Sequence, residues 1–92
     1  MNEEDKLKEE KLFTYSVNTF QSSAWIALGK MRNPMTNKTE VNLEQASYYI
    51  DLLNMLQVKT KNNLTQYEEQ MLINIVSELK MNFIQEKKKT DE

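Results

Sequence analysis

The sequence predicts an all-α domain of three amphipathic helices, and three observations carry that expectation. Apolar residues step by three and four through the first third of the chain, two capping boxes open later segments, and the lone glycine and lone proline both fall between helical patterns. Phe13, Val17, Phe20, Ala24, Ala27 and Met31 are spaced by 4, 3, 4, 3 and 4, which puts them on one face of a helix.

Residues 1–11 hold five acids and three lysines. Glu4 and Lys8 stand at i, i+4, but no apolar stripe anchors the segment, so a charged, frayed lead-in is expected. Helix 1 is predicted over about 12–29. Tyr15, Trp25, Ile26 and Leu28 widen its stripe, while Ser22, Ser23, Ala24, Ala27 and Gly29 keep its middle small enough for another backbone to come close. Gly29 suits a helix C-terminus because it takes positive φ without a Cβ clash.

Asn33-Pro34-Met35-Thr36 reads as a β-turn with proline at its second position, followed by Asn37 as a left-handed residue. Lys30–Arg32 and Thr39–Val41 are placed to pair briefly across it. Helix 2 is predicted over about 43–60, with Asn42 as N-cap and the Gln45 amide reaching back to the cap N–H. Leu43, Ala46, Ile50 and Leu53 form one row, and Tyr49, Leu52 and Leu56 a neighbouring one.

Asn62 is the expected left-handed residue after helix 2. Thr65 and Glu68 form the second capping box and open helix 3, predicted over about 66–86. Its stripe is Leu72, Ile75/Val76, Leu79 and Phe83, flanked by Met71 and Ile84. Residues 12–86 are read as a single helical domain and 87–92 as a charged tail, without internal repeat or linker.

At 92 residues a chain buries only about 60–65 % of the surface its unfolded form exposes, so the core is modest and oligomerisation is expected to complete it. The absence of cysteine and histidine removes thiolate chemistry, Cys-ligated metals, the commonest general base and the commonest metal ligand. Residues 12–85 balance six acids against six bases and the chain carries a net charge of -2. Nucleic acid is therefore not the expected partner. The acidic N-terminus lacks a basic region leading into an apolar run, and the longest such run, Ala24–Leu28, is far below the ~20 residues of a membrane span. A cytoplasmic location away from membranes is expected.

From Phe13 to about Ile84 the chain resembles the bacterial family known as domain of unknown function 1844. The resemblance rests on Ala27-Leu28-Gly29, Asn33-Pro34-Met35-Thr36-Asn37-Lys38, Asn42-Leu43-Glu44-Gln45-Ala46, Ile50-Asp51-Leu52-Leu53 with Leu56, and Lys59-Thr60-Lys61-Asn62-Asn63-Leu64-Thr65 with Glu68. Where the family pattern carries glycine, this sequence has Asn37 and Asn62, the next best residues for positive φ. The resemblance implies a compact bacterial helical domain and supplies no catalytic residue.

No catalytic, cofactor or metal residue is assigned. Asp51, Glu68, Glu69 and Glu78 offer oxygen ligands of the kind a hard cation takes, yet carboxylates on helix surfaces are ordinarily solvated. Asp51, Lys59, Thr60 and Asn63 form a candidate polar cluster whose plainer reading is capping and turn chemistry. Trp25 and Tyr49 are expected in the core, Tyr48 and Met81 on the surface. The expected function is a protein-interaction or self-association module, with Phe13, Val17, Phe20, Ala24 and Ala27 as the candidate self-association face and a second copy or another protein as partner. The alternative is an accessory protein contacting nucleic acid or a ribonucleoprotein through Lys59, Lys61 and Lys87–Lys89.

Overall fold

The computed structural model describes residues 2–91 as three helices, α1 (Glu3–Ala27), α2 (Leu43–Lys59) and α3 (Gln66–Asp91). They form an all-α bundle in which α1 packs chiefly on α2, α2 on α3, and α1 only along an edge of α3. One end is marked by Lys30, just past α1, meeting Glu86 of α3. At the other, Lys6, Glu9 and Phe13 of α1 line a cavity with Asn63, Leu64 and Thr65. α1 and α3 therefore run parallel, with α2 antiparallel to both. The described residues span 53 × 26 × 16 Å, with a radius of gyration of 14.9 Å against about 12 Å for a compact chain of this length. The molecule is elongated because both long helices overrun the bundle at opposite ends.

The core is one cluster of Val17, Ala24, Ala27, Leu28, Ala46, Ile50, Leu53, Leu72, Ile75, Val76 and Leu79. Phe13, Phe20, Trp25, Leu43, Tyr49, Leu56, Leu64, Met71 and Phe83 pack around it, half-buried. Trp25 and Tyr49 join the core side and Tyr48 and Met81 the surface, as the helical spacing predicts. Tyr15 does not: it is 71 % exposed. It lies two residues from both Phe13 and Val17, about 200° round the helix from each.

α1 starts nine residues earlier than the apolar stripe predicts. Asn2 is its N-cap, accepting from the Asp5 N–H at 2.8 Å, and Glu3, Glu4 and Asp5 place negative charge on the first turn, where the macrodipole favours it. Residues 3–11 are thus helical rather than a frayed lead-in, and cap chemistry replaces burial as the cause.

α1 ends at Ala27, two residues before the predicted end, in a Schellman turn. Gly29 N–H donates to Ile26 O at 3.0 Å and Lys30 N–H to Trp25 O at 3.0 Å, with Gly29 at φ 75°. Met31 consequently leaves the seam and is exposed. A Cβ at position 29 would stand 2.8 Å from Val41 Cγ2, so glycine is required here twice over, by φ and by the approach of the returning chain.

The return makes isolated bridges, Leu28 with Val41 and Asn33 with Lys38, in place of the pairing expected between Lys30–Arg32 and Thr39–Val41. Asn33 Oδ1 accepts from the Met35 N–H at 2.9 Å, and Asn37 takes φ 60°. Asn42 caps α2 through Gln45 N–H at 3.1 Å. Its own N–H is not met by the Gln45 side chain; it donates to Ala27 O at 2.7 Å, tying the start of α2 to the last turn of α1.

At the far end, Asn63 N–H closes a turn onto Thr60 O at 2.9 Å, with Asn62 at φ 72° in the third position, as in a type II turn. The second capping box forms in both directions: Thr65 N–H donates to Glu68 Oε1 at 2.9 Å and Glu68 N–H to Thr65 Oγ1 at 3.1 Å. α3 continues to Asp91, five residues past its predicted end, with Lys88 and Lys89 in the last turn, where cations favour the macrodipole.

Glu86, like Glu68, is a buried carboxylate, its side chain only 9 % accessible. It accepts from Lys89 Nζ at 2.8 Å and Lys30 Nζ at 3.3 Å. The Lys89 hydrogen bond is the main cause of a pKa below the usual glutamate range; partial desolvation at the bundle end opposes it, and Lys30 adds to the lowering.

Three stability predictions follow from these turns and this ion triplet. Gly29→Ala should cost roughly 2 kcal/mol, of which about 1–2 is the left-handed backbone and the rest the Val41 contact; in a Val41→Ala background part of the loss should disappear, read from urea midpoints as a non-additive cycle. Asn62→Ala should cost about 1 kcal/mol while Asn62→Gly leaves stability equal or higher. Since folding lowers the Glu86 pKa, its stabilisation is complete above the usual glutamate range and is lost as pH falls through the lowered folded value. Melting temperatures followed from pH 7 to pH 3 should accordingly fall less steeply for Glu86→Gln than for the unsubstituted protein.

Candidate functional site

The face of α1 opposite its core seam is built by the same helical arithmetic. With Phe13, Val17, Phe20 and Ala24 turned inward, Leu7, Leu12 and Tyr15 fall outward, 56 %, 56 % and 71 % exposed. Tyr67, on the first turn of α3, is 74 % exposed and stands beside them, because α3 begins level with this part of α1. Leu7, Tyr15 and Tyr67 line one open depression of about 730 Å³. Glu4, Leu7, Lys8, Lys11, Leu12 and Tyr15 line an adjoining shallow one of about 550 Å³. Aromatic and aliphatic surface is thus gathered on one end of the molecule, rimmed by charges of both signs.

The candidate self-association row lies elsewhere. Val17, Ala24 and Ala27 are buried within the chain, and Phe13 and Phe20 are half-buried against the same core. In this conformation the row is occupied by the chain's own packing, which corrects its reading as a face for a second copy. The sequence periodicity located the seam correctly, but a 4-3-4-3 row carries no information on whether its partner helix is intramolecular.

The polar cluster resolves into separate parts. Thr60 is the C-cap of α2, its hydroxyl donating to Leu56 O at 2.6 Å, and Asn63 closes the turn. Asp51 and Lys59 are exposed and lie about 12 Å apart along the helix. Glu68 is engaged by its capping box, and among the described residues no three of His, Cys, Asp and Glu are grouped to hold a metal ion. Lys59 and Lys61 sit at the end where α3 begins, whereas Lys87–Lys89 sit at its other end, roughly 30 Å away along the helix, so the lysines do not make one continuous stripe. Among the described residues no helix is long and apolar enough to cross a membrane.

A third concavity, about 520 Å³, runs between α2 and α3, lined by Val58, Leu64, Ile73 and Val76 with Lys61, Glu69 and Lys80 among its polar residues. Val58 is 65 % exposed at its edge. Asn54 Oδ1 accepts from Lys80 Nζ at 3.1 Å across it, so a polar bridge partly closes the groove. Sequence reasoning did not single out Leu7, Leu12 or Tyr67, although their offset from the core rows was readable.

No curated protein and no solved structure matches this chain. A family model described as a domain of unknown function (DUF1844) matches residues 10–85, a span that includes the core seam, both left-handed asparagines, both helix caps and Glu68. On that match the chain belongs to the DUF1844 family.

Proposed function

We propose that this chain is a non-enzymatic protein-interaction module whose docking surface is the outward face of α1 together with Tyr67. The observation that carries the reading is the clustering of Leu7, Leu12, Tyr15 and Tyr67, each more than half exposed, around two adjoining depressions. Together they leave on the order of 400 Å² of apolar and aromatic surface in water, within the range where the largest patch on a monomer is often functional.

The chemistry of the patch suits a protein partner. Tyrosine supplies a large, stiff contact area with a hydroxyl that keeps a hydrogen-bond partner at the rim. Tyrosine is also among the residue types that concentrate binding energy, and the leucines beside it complete an apolar contact that excludes water. The chain carries neither histidine nor cysteine, so acid–base and nucleophilic catalysis would fall to weaker side chains. The site is a shallow surface rather than an enclosed pocket.

The reading is tested with a photo-reactive amino acid placed singly at Tyr15 or, as control, at the exposed Asp51 of α2. Position 15 should give a discrete protein adduct in cells and position 51 none. Further substitution of Tyr67 by glutamate should abolish the adduct at position 15 without changing the melting temperature, as expected of surface changes. Equal labelling at both positions, or none at position 15, would remove the basis for a docking surface on α1.

A further inference from the structure

We propose that the Leu7 end of this α1 face seats a second copy of the chain, antiparallel about a two-fold axis that passes between Leu7 and Lys8, with Glu4 of each copy paired to Lys11 of the other. The proposal rests on the docking surface proposed above and names a partner for its Leu7 end, leaving Tyr15 and Tyr67 outside the overlap.

Glu4, Leu7, Lys8 and Lys11 share one outward stripe of α1 and line the same shallow depression. None of the three charged groups is taken up inside the chain: the two ion pairs among the described residues both end on Glu86. Reversing the helix about the point between residues 7 and 8 sets position 4 opposite 11 and position 7 opposite 8. Two Glu4–Lys11 pairs then flank the axis, and the two Leu7 side chains meet on it, covered by the aliphatic stems of Lys8. Antiparallel seating also opposes the two helix dipoles.

Other registers that set Leu7 against an apolar residue of this face bring like charges together. Setting Leu7 opposite Leu12 places Lys8 against Lys11, and setting Leu7 opposite Tyr15 places Lys11 against its own copy. Parallel, in-register seating sets every charge against itself. Charge therefore selects among the registers that bury Leu7.

The geometry has room for this arrangement. The α2–α3 turn meets α1 at Lys6, Glu9, Glu10 and Phe13, on the far side of the helix from the Glu4, Leu7, Lys8 and Lys11 stripe, so two α1 helices can lie side by side along that stripe with their bundles turned outward. The overlap, residues 2–13, contributes less than the ~800 Å² per partner of a standard interface. The dimer is accordingly weak and reversible, assembling at high micromolar concentration.

Sedimentation equilibrium of the full chain from 10 to 500 µM tests it. The unsubstituted protein should dimerise in 50 mM salt and several-fold less well in 500 mM. Glu4→Lys and Lys11→Glu should each weaken association by about fivefold, since each sets two like-charged pairs face to face. The double variant Glu4→Lys/Lys11→Glu should restore association to within about twofold of the original, although both Glu4→Lys proteins melt slightly lower for want of an acid on the first helical turn. A monomer at 500 µM, single reversals without effect, or a double variant that stays dissociated would each overturn the proposal. If the protein is monomeric while the photo-reactive group at position 15 still captures a different protein, the second copy is excluded and the docking surface stands; if both fail, both fall.

Discussion

The left-handed backbone at Gly29 is the constraint on which the rest of the bundle depends. A helix that reached Ala27 and continued would carry Leu28 away from the core and point the chain past the bundle. The Schellman turn instead satisfies the last carbonyls of α1 with the Gly29 and Lys30 N–H groups and leaves Leu28 fully buried. It also sets Lys30 where it meets Glu86. Because position 29 has no Cβ, Val41 can close over it, which brings Asn42 within reach of Ala27 O. One residue thus fixes where α1 stops, where α2 starts and how the end of α3 is held. The energy at stake is small per contact, but each contact depends on the same backbone reversal.

The other two reversals use asparagine for the same purpose, at Asn37 and Asn62. Asparagine tolerates the left-handed region better than other side-chain-bearing residues and can return a hydrogen bond; Asn37 Oδ1 accepts from the Arg32 guanidinium at 3.2 Å. Positions that need a special φ were legible because few residue types satisfy them. The capping boxes were legible for a similar reason, since Thr65 with Glu68, and Asn42 three residues before Gln45, are patterns with a single mechanical meaning. Apolar burial followed the spacing at Ala46, Ile50 and Leu53 of α2 and at Leu72, Ile75, Val76 and Leu79 of α3, whereas Ile84, expected to flank the stripe, is exposed.

What the sequence did not disclose has identifiable physical causes. The start of α1 depends on Asn2 and three acids rather than on an apolar stripe, so a reading that asks burial to justify a helix stops too late. Glu86 continues the Leu72, Ile75/Val76, Leu79 and Phe83 row by one further step of three. A carboxylate on a core row signals a buried ion contact, but its partner, Lys30, lies 56 residues away and becomes a neighbour only through the turn at Gly29. The candidate self-association row was a true seam with the wrong owner. Tyr15 was assigned to a stripe it cannot join, and its displacement onto the opposite face is what creates the patch with Leu7 and Leu12.

That displacement connects the fold to the proposed docking surface. α1 spends its inner face on α2, the edge of α3 and the core, and only its first turn extends past the α2–α3 turn. A solvated extension of this kind would be expected to carry only charge, because an exposed leucine or tyrosine contributes nothing to folding when no other element covers it. Leu7, Leu12, Tyr15 and Tyr67 stand against that expectation at the end where α3 begins beside α1. The cap at Asn2 keeps this stretch helical, and so holds its apolar and charged side chains in a fixed spatial pattern before any partner arrives. Preorganisation of that sort lowers the ordering cost of association. α1 is therefore held twice, by Val17, Ala24 and Ala27 in the core and by the Asn2 cap where its first turn has nothing to bury against.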